Sequence, residues 1–299
     1  MARLTASEAP RQPTQVESTG INHFGRVPLD QTLPALVRHG YTAVDYSAAA
    51  GRLASDGDAL SRIRALTRDL GLVPAGTHFR SFGFAFLAPG EHRAAFLRES
   101  VEDVRAAAFL GVPAIAFHLG NALQPGSGRP DTDLAGANAA ALAPAVSVAE
   151  QEGITVALEN HCHGWGDRWE HLSSVADLLA SPAVGFTLDT GHAVVAGQDP
   201  VALARAMGSR LAITHLHDND GSADQHRPAA RSGPNGERSG GGSIDWHALI
   251  TVLRETGYPS RNVWMLEGGT QIAGDDIEQL LAAHIAAFRE QLSHGDPQH

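Results

Sequence analysis

Several short apolar runs in this sequence end on a side chain that can bind a metal ion. The run Val184–Leu188, for example, is followed directly by Asp189. The same pattern ends on four further residues, namely His118, Glu159, His215 and Glu267. Runs of this length are typical of strands buried on both faces, and parallel α/β sheets bind ligands at the carboxyl ends of their strands. We therefore expect these five side chains to lie at one end of one sheet.

Three carboxylates and one imidazole from these strand ends form a hard, mainly oxygen donor set. The residues are Glu159, Asp189, His215 and Glu267. Such a set suits Mn²⁺, Mg²⁺, Co²⁺ or Zn²⁺. Three converging acids repel one another unless a cation neutralises them or some are protonated. We therefore expect a divalent metal cofactor, with Mn²⁺ as the first choice; the alternative is that each acid is satisfied separately by an arginine or a backbone amide.

Two histidines compete for the ligand position on the seventh predicted strand. His215 and His217 lie two residues apart, so both side chains point to the same side of an extended strand. His215 lies deeper in the apolar run, whereas His217 already belongs to the following loop. We assign the ligand role to His215 and keep His217 as the alternative.

The composition excludes several kinds of chemistry. The 299-residue chain contains no lysine, which removes Schiff-base lysine catalysis, pyridoxal-phosphate lysines and the lysine of a Walker A loop. Its formal net charge of −11 disfavours nucleic acid as a partner. The single cysteine, Cys162, excludes an internal disulfide framework and a cysteine-based zinc cluster.

The two ends of the chain differ from its middle. Residues 1–20 are polar and lack the apolar core of a signal peptide, so we expect a disordered leader there. One folded domain is predicted over residues 21–292, followed by a flexible tail over 293–299. No apolar run reaches the roughly twenty residues of a bilayer span, so we expect no membrane partner and a cytoplasmic location. A homo-oligomer is also possible from the sequence, because barrels of this kind often pair through their loops.

The middle of the chain alternates strand-like and helix-like segments with a repeat of roughly thirty residues. Strands are predicted at Ile21–Phe24, Thr42–Tyr46, Val73–His78, Ala114–His118, Thr155–Glu159, Val184–Asp189, Ala212–His215 and Val263–Glu267. Helices are predicted at Leu29–His39, Asp58–Leu70, Glu91–Leu110, Asp133–Glu152, His171–Ala180, Pro200–Met207, Trp246–Thr256 and Asp275–Gln291. Parallel strands need crossover helices, so this alternation predicts an α/β fold, a single-domain (βα)₈ TIM barrel. A doubly wound open sheet is the alternative.

Two long loops interrupt the alternation. The loop Asn121–Thr132 and the loop Asp218–Ser243 both follow strands that carry a candidate histidine. Long loops inside compact domains are usually functional or disordered. We expect the second loop to be a substrate lid, with a mobile surface excursion as the alternative.

Some polar residues beside the strand ends have weaker assignments. His161, Cys162 and His163 follow Glu159 closely, and we expect them to line the rim rather than to bind a metal. Arg80 follows the third strand and is expected to shape the substrate end of the pocket.

Five motifs at or near the predicted strand ends carry a family resemblance. They read FTLDTGHA, ITHLHDNDG followed by Asp224-Gln225-His226, GGGSIDW, ALEN and MLEGG. Together they resemble the xylose-isomerase-like TIM-barrel superfamily, over nearly the whole chain from Ile21 to about Leu292. That superfamily holds the sugar-phosphate isomerase/epimerase proteins and the endonuclease-IV-type AP endonucleases. The motifs are specific to the superfamily and not to one reaction.

The resemblance implies roles for individual residues. In ketose 3-epimerases of this superfamily, two strand-end glutamates bind the metal and flank the substrate, which implies acid/base roles for Glu159 and Glu267. His192 matches a histidine that contacts a substrate oxygen. A metal that chelates a carbonyl and its neighbouring hydroxyl stabilises an enediolate, so one glutamate can remove a proton that the other returns. The implied function is an isomerase or epimerase (EC 5) of a small carbohydrate: a sugar, sugar phosphate, sugar acid or inosose.

Other reactions remain open. Positions that match the additional zinc ligands of endonuclease-IV-type enzymes are filled by His78, His118, His192, Asp224 and His226. These five are candidates for substrate binding or for a second metal, and they keep a multinuclear-zinc phosphodiester hydrolase as an alternative. A metal-dependent lyase or dehydratase, acting by β-elimination on a keto-sugar or inosose, uses the same apparatus. A non-catalytic carbohydrate-binding protein is the third alternative.

The chain also departs from the ketose 3-epimerase pattern. Where those enzymes have an arginine shortly after the metal histidine, this chain reads Asp220–Ser222. Their second acid after the first glutamate is replaced by Trp165. The candidates to supply a positive charge from the second loop are Arg227, Arg231 and Arg238.

Overall fold

A computed structural model describes residues 19–23, 27–80, 87, 90–121, 134–229, 242–269 and 277–294 of the chain. Within these residues the strands are β1 Thr19–His23, β2 Ala43–Asp45, β3 Val73–His78, β4 Ala114–His118, β5 Thr155–Glu159, β6 Val184–Asp189, β7 Leu211–His215 and β8 Trp264–Gly268. Each lies within about two residues of its predicted position. Phe24, predicted as the end of β1, lies outside the described residues.

The strands are parallel neighbours in chain order. Strands β2 to β7 form one ladder, and β1 pairs with β8, the last strand. Two sets of backbone hydrogen bonds join these pieces: Thr42 N–H donates to Thr19 O (3.0 Å) beside β1 and β2, and Leu216 N–H donates to Met265 O (2.9 Å) between the end of β7 and β8. A sheet whose first strand lies between its second and its last is closed, so the (βα)₈ TIM barrel is confirmed and the open doubly wound sheet is wrong.

Helices surround the barrel in the described part of the chain. They are α1 Leu29–Arg38, α2 Ala49–Arg52, α3 Gly57–Asp69, α4 Glu91–Leu110, α5 Leu134–Glu152, α6 Trp169–Leu179, α7 Thr190–Val195, α8 Pro200–Met207, α9 Trp246–Glu255, α10 Tyr258–Arg261 and α11 Ile277–His294. The sequence did not predict α2, α7 and α10, because each is too short to show a hydrophobic period. Aspartates cap several helix starts; the Asp56 carboxylate, for example, accepts a hydrogen bond from Ala59 N–H at the start of α3 (2.9 Å).

Alternate residues of each strand face the inside of the barrel. A small apolar cluster there is formed by Ala114, Ala116, Ala157, Ile213 and Met265. The intervening strand residues belong to the larger core between sheet and helices. Since strand side chains alternate, the polar residues two positions further on also face the interior. This alternation places His118, Glu159, His215 and Glu267 directly beyond the alanine-rich layer.

Some predicted segments lie outside the described residues: the leader up to residue 18, positions 122–133 and positions 230–241. Strand β1 begins at Thr19, inside the predicted leader, and α11 ends at His294. Among the described helices, none combines the length and the apolar character that a bilayer crossing needs.

Candidate metal centre

The four residues of the predicted metal set come together at the carboxyl end of the barrel. Glu159, Asp189, His215 and Glu267 are each at most 1% exposed, and one ligand atom from each lies within 4.8 Å of the others. His215 Nδ1 lies 2.7 Å from Glu159 Oε1 and 3.6 Å from Glu267 Oε2. We call these four residues the carboxylate centre. Their role as ligands stays a prediction.

The charges of the carboxylate centre are unbalanced without a cation. Burial, together with the charges of Asp189 and Glu159, raises the pKa of Glu267 well above its usual value. Burial also opposes ionisation of Glu159, but His215 and His118 hold its pKa well below the usual value. The two glutamates of the centre therefore differ in how readily they ionise. A divalent cation would offset the repulsion between these buried carboxylates, so this donor set fits such an ion.

His217 reaches the same centre as His215. Its Nε2 lies 3.0 Å from Asp189 Oδ1 and 3.6 Å from Glu267 Oε2, and its side chain is fully buried. Thr190 holds this segment, because its hydroxyl donates to His217 O (2.7 Å) and accepts from His217 N–H (3.0 Å). His215 and His217 thus both face the interior of the barrel, as their spacing of two residues predicts.

Glu159 also connects the carboxylate centre to two histidines on β3 and β4. Its Oε2 lies 2.9 Å from His78 Nε2 and 3.1 Å from His118 Nε2. His78 Nδ1 lies 3.0 Å from the carbonyl of Phe79, which assigns the proton to Nδ1 and leaves Nε2 as the nitrogen that faces Glu159. His78, His118 and Glu159 therefore form a second group with metal-binding geometry.

A third group joins the end of β7 to the loop that follows it. One ligand atom each from His217, Asp224 and His226 lies within 4.8 Å of the other two. His192 Nε2 approaches the same aspartate at 3.4 Å. Burial lowers the pKa of His192, but Asp189 and Asp224 outweigh burial and raise it to about 10. The predicted candidates Asp224, His226 and His192 are therefore neighbours in space.

Asn160 positions the ends of β5 and β6. Its side-chain amide donates to Asp189 O (2.8 Å), and its side-chain oxygen accepts from Asp189 N–H (2.9 Å). The Asp189 carboxylate then caps α7 by accepting from His192 N–H (2.7 Å). One carboxylate thus serves the metal set and starts the helix that carries His192. The sequence pattern did not reveal this role of Asn160.

The pattern also missed two buried polar residues near the site. Asp45, at the end of β2, is 4% exposed, and burial raises the pKa of its carboxyl, with His215 acting in the opposite direction. His161 was expected at the rim, yet it is 8% exposed and its ring centroid lies 4.6 Å from that of His118 and 4.5 Å from that of His192. The chain turns inward here because His161 N–H donates to Gly166 O (2.9 Å).

Two arginines have partners away from the centre. Arg80 donates from Nε to Asp103 Oδ1 (2.6 Å) and from its backbone N–H to the same carboxylate (2.8 Å), so it ties the end of β3 to α4. Its expected contribution to the pocket stays a prediction. Arg227 is bonded to Asp220 at the exposed loop (3.0 Å). Arg231 and Arg238 lie outside the described residues. Trp165 stacks on His171 with ring centroids 4.4 Å apart.

This fold and these strand-end residues define a class. Residues 33–291 match the family described as Xylose isomerase-like TIM barrel, and the chain belongs to that family.

Two curated relatives match only part of the chain. The uncharacterized protein MJ1311 of Methanocaldococcus jannaschii is 30% identical over 126 residues, which is 40% of this chain and 40% of that protein. A probable endonuclease 4 of Mycobacterium ulcerans is 30% identical over 116 residues, or 36% of this chain and 43% of that protein. The chain spans about two fifths of the length of these relatives.

Solved structures match over nearly the whole chain but at low identity. A D-tagatose 3-epimerase-like protein is 19% identical with a TM-score of 0.76, covering 93% of this chain and 98% of that one. A 3-keto-D-glucoside 4-epimerase from E. coli is 16% identical with a TM-score of 0.70, covering 92% and 98%. An L-ribulose 3-epimerase is 20% identical with a TM-score of 0.69, covering 93% and 95%. These likenesses establish the fold.

Proposed function

We propose that this chain is a divalent-metal-dependent isomerase or epimerase of a polyhydroxy carbonyl compound such as a sugar. The observation that carries the proposal is the pair Glu159 and Glu267. Both belong to one buried centre, yet their surroundings shift the two pKa values in opposite directions. Two carboxyl groups with opposed pKa shifts are the arrangement that assigns one as base and the other as acid.

The carboxylate centre supplies four donors for the ion. When bound, a divalent cation would acidify the C–H bond beside a substrate carbonyl by polarising that carbonyl. Glu159, held ionised by His215 and His118, accepts the proton. Glu267, the carboxyl whose pKa is raised, returns a proton on the opposite face of the carbon or at the adjacent carbon. The first choice gives an epimer and the second an isomer.

The structural neighbours support the substrate class. Two of them are a 3-keto-D-glucoside 4-epimerase and an L-ribulose 3-epimerase, and a third is a D-tagatose 3-epimerase-like protein. A small carbohydrate is therefore the proposed partner, with Mn²⁺ as the proposed first metal. The proposal for this chain extends to the substrate class and not to one sugar.

Solvent deuterium exchange tests the proposed proton transfer. The Mn²⁺-loaded chain is incubated in D₂O with a panel of ketoses, ketose phosphates and inososes, and incorporation at the carbon next to the carbonyl is followed by NMR. We expect exchange into at least one class. Glu159→Gln and Glu267→Gln should each lower the exchange rate at least 100-fold, since a positioned acid or base contributes about 10²–10⁴-fold.

The control is Glu255→Gln, which makes the same chemical change at an exposed position on α9. It should leave exchange unchanged. Full exchange in either site variant, with its fold intact by circular dichroism, contradicts that glutamate's role.

A second candidate function is metal-dependent phosphodiester hydrolysis. The observation that favours it is the presence of two additional groups of potential metal ligands, His78/His118/Glu159 and His217/Asp224/His226. One partly matching relative is also named as a probable endonuclease 4. The net charge of −11 opposes binding to a nucleic-acid backbone. Cleavage of a duplex with one abasic site by the Zn²⁺-loaded chain, lost in His78→Gln and in His226→Gln, would favour this candidate over the isomerase.

A further inference from the structure

One cluster of side chains contains no group that takes or returns a proton in the proposed reaction. It consists of three imidazoles, His118, His161 and His192, which we call the imidazole cluster. One ring nitrogen from each lies within 4.8 Å of the other two, and each residue is no more than about one tenth exposed. The three come from different places: the end of β4, the turn after β5 and the first turn of α7.

Backbone carbonyls orient two of these rings. His161 Nδ1 lies 3.1 Å from His163 O, and His192 Nδ1 lies 3.0 Å from Asn160 O. The Asn160 contact assigns a proton to Nδ1 of His192, because a carbonyl accepts but cannot donate, whereas His161 Nδ1 lies close to both the carbonyl and the backbone N–H of His163 (3.3 Å). Nε2 of His192 lies 3.4 Å from Asp224 Oδ2, so a metal ion that binds this nitrogen would displace the proton that Asp224 holds there. A histidine whose other nitrogen donates to a carbonyl is the usual arrangement of a metal-ligating histidine.

The ring contacts place His161 at the middle of the cluster. Its centroid lies 4.6 Å from that of His118 and 4.5 Å from that of His192, whereas the outer two centroids are 6.0 Å apart. Three imidazoles buried this closely cannot all be protonated without strong repulsion. A metal cation coordinated by the lone pairs of neutral rings would instead be attracted to all three.

We propose that the imidazole cluster binds a late first-row transition-metal ion, Zn²⁺ or Co²⁺, separately from the ion of the carboxylate centre. No residue is shared between the two sets. Three neutral nitrogens favour such ions over Mg²⁺ and Mn²⁺, which prefer oxygen ligands. Three protein ligands also leave a position of a four-coordinate ion open to water or to a substrate oxygen. The site depends on His161 and stands whether or not the chain epimerises a sugar.

Zinc binding to the full-length, metal-free chain tests this site. The carboxylate centre is first saturated with Mn²⁺, and Zn²⁺ is then titrated while bound metal is counted by elemental analysis. The matched pair of variants is His161→Gln and His163→Gln, because His163 is the exposed neighbour outside the cluster. We expect the wild type and His163→Gln to bind the same number of zinc ions. His161→Gln should bind one fewer, or bind it at least about tenfold more weakly.

Two further measurements keep the result interpretable. Glu267→Gln should retain the zinc that His161→Gln loses, because Glu267 belongs to the other site. X-ray absorption at the zinc edge of the wild-type chain should show nitrogen ligands only from the protein, which does not depend on any variant folding. Unchanged zinc binding in folded His161→Gln, or a carboxylate-dominated zinc spectrum, would overturn the proposal. Neither measurement involves deuterium exchange, so the proposed isomerase and this site can fail independently.

Discussion

Glu159 uses its two carboxylate oxygens for different partners. Oε1 faces His215 in the carboxylate centre, and Oε2 faces His78 and His118 on the neighbouring strands. The carboxylate therefore links its own strand, β5, to three others, β3, β4 and β7. The same two contacts are compatible with two roles for His78 and His118. They can bind a metal ion together with Glu159, or they can orient the Glu159 carboxylate.

Gly191 leaves space for His217, and an alanine there should disturb the centre. A Cβ at Gly191 would lie 2.0 Å from His217 Cε1, which is a clash in a fully buried region. We expect Gly191→Ala to lower the free energy of unfolding by about 1–3 kcal/mol and to displace His217. Urea unfolding measures the first effect, and histidine NMR shifts measure the second.

Gly57→Ala is the matched control for this substitution. A Cβ at Gly57, the first residue of α3, meets nothing within 4 Å. The free energy of unfolding of Gly57→Ala should stay unchanged or rise by up to about 1 kcal/mol. Equal stability of the two variants would show that the packing of His217 against Gly191 is not tight.

At the scale of elements, Asp218 closes the base of the loop that follows β7. It exchanges two backbone hydrogen bonds with Arg227, both 2.8 Å long. Its carboxylate accepts from the Trp246 indole N–H (2.8 Å) and from Ser243 N–H (2.9 Å). These contacts make one structural unit of Asp218, Ser243 and Trp246. The unit joins the residues that follow β7 to α9 and connects the ITHLHDNDG motif with the GGGSIDW motif.

Trp246→Phe should loosen this unit. The substitution removes the indole N–H and leaves a buried carboxylate oxygen without its donor, which costs about 1–3 kcal/mol of unfolding free energy. Thermal and urea unfolding measure the loss. Trp169→Phe is the comparison, because that ring packs on Phe186 and no hydrogen bond to its indole N–H is described. A loss in Trp169→Phe as large as in Trp246→Phe would mean that ring volume, rather than the hydrogen bond, dominates.

Sequence patterns located the long elements well and the short ones poorly. Each main strand is an apolar run that ends in a polar residue, and that signal places β4 to β8 and their strand-end ligand candidates. Strand β2 has only three residues, so Asp45 at its end was not recognised as a buried acid of the barrel interior. His161 was placed at the rim because no periodicity describes a turn. A backbone hydrogen bond to Gly166 O holds this turn, and no apolar pattern in the sequence signals it.

At the scale of the whole molecule, a bound ion should stabilise the barrel. The ligands of the carboxylate centre come from four strands, so an ion that binds the folded chain has no equivalent site in the unfolded one. At one hundred times its dissociation constant, such an ion adds about 2.7 kcal/mol, or roughly 5–10 °C in Tm for a chain of this size. Calorimetry with Mn²⁺ and with EDTA measures the difference, and a Tm that Mn²⁺ leaves unchanged would contradict metal binding at this centre.

The pairing of β1 with β8 has a consequence for biosynthesis. The ribosome releases β1 before the other seven described strands, but its partner strand carries Glu267 and is the last of the eight to emerge. Until then the nascent chain has neither a closed sheet nor a full set of donors. Any ion held by this centre must therefore be acquired after β8 has emerged, from whichever metals the cell supplies to a closed barrel.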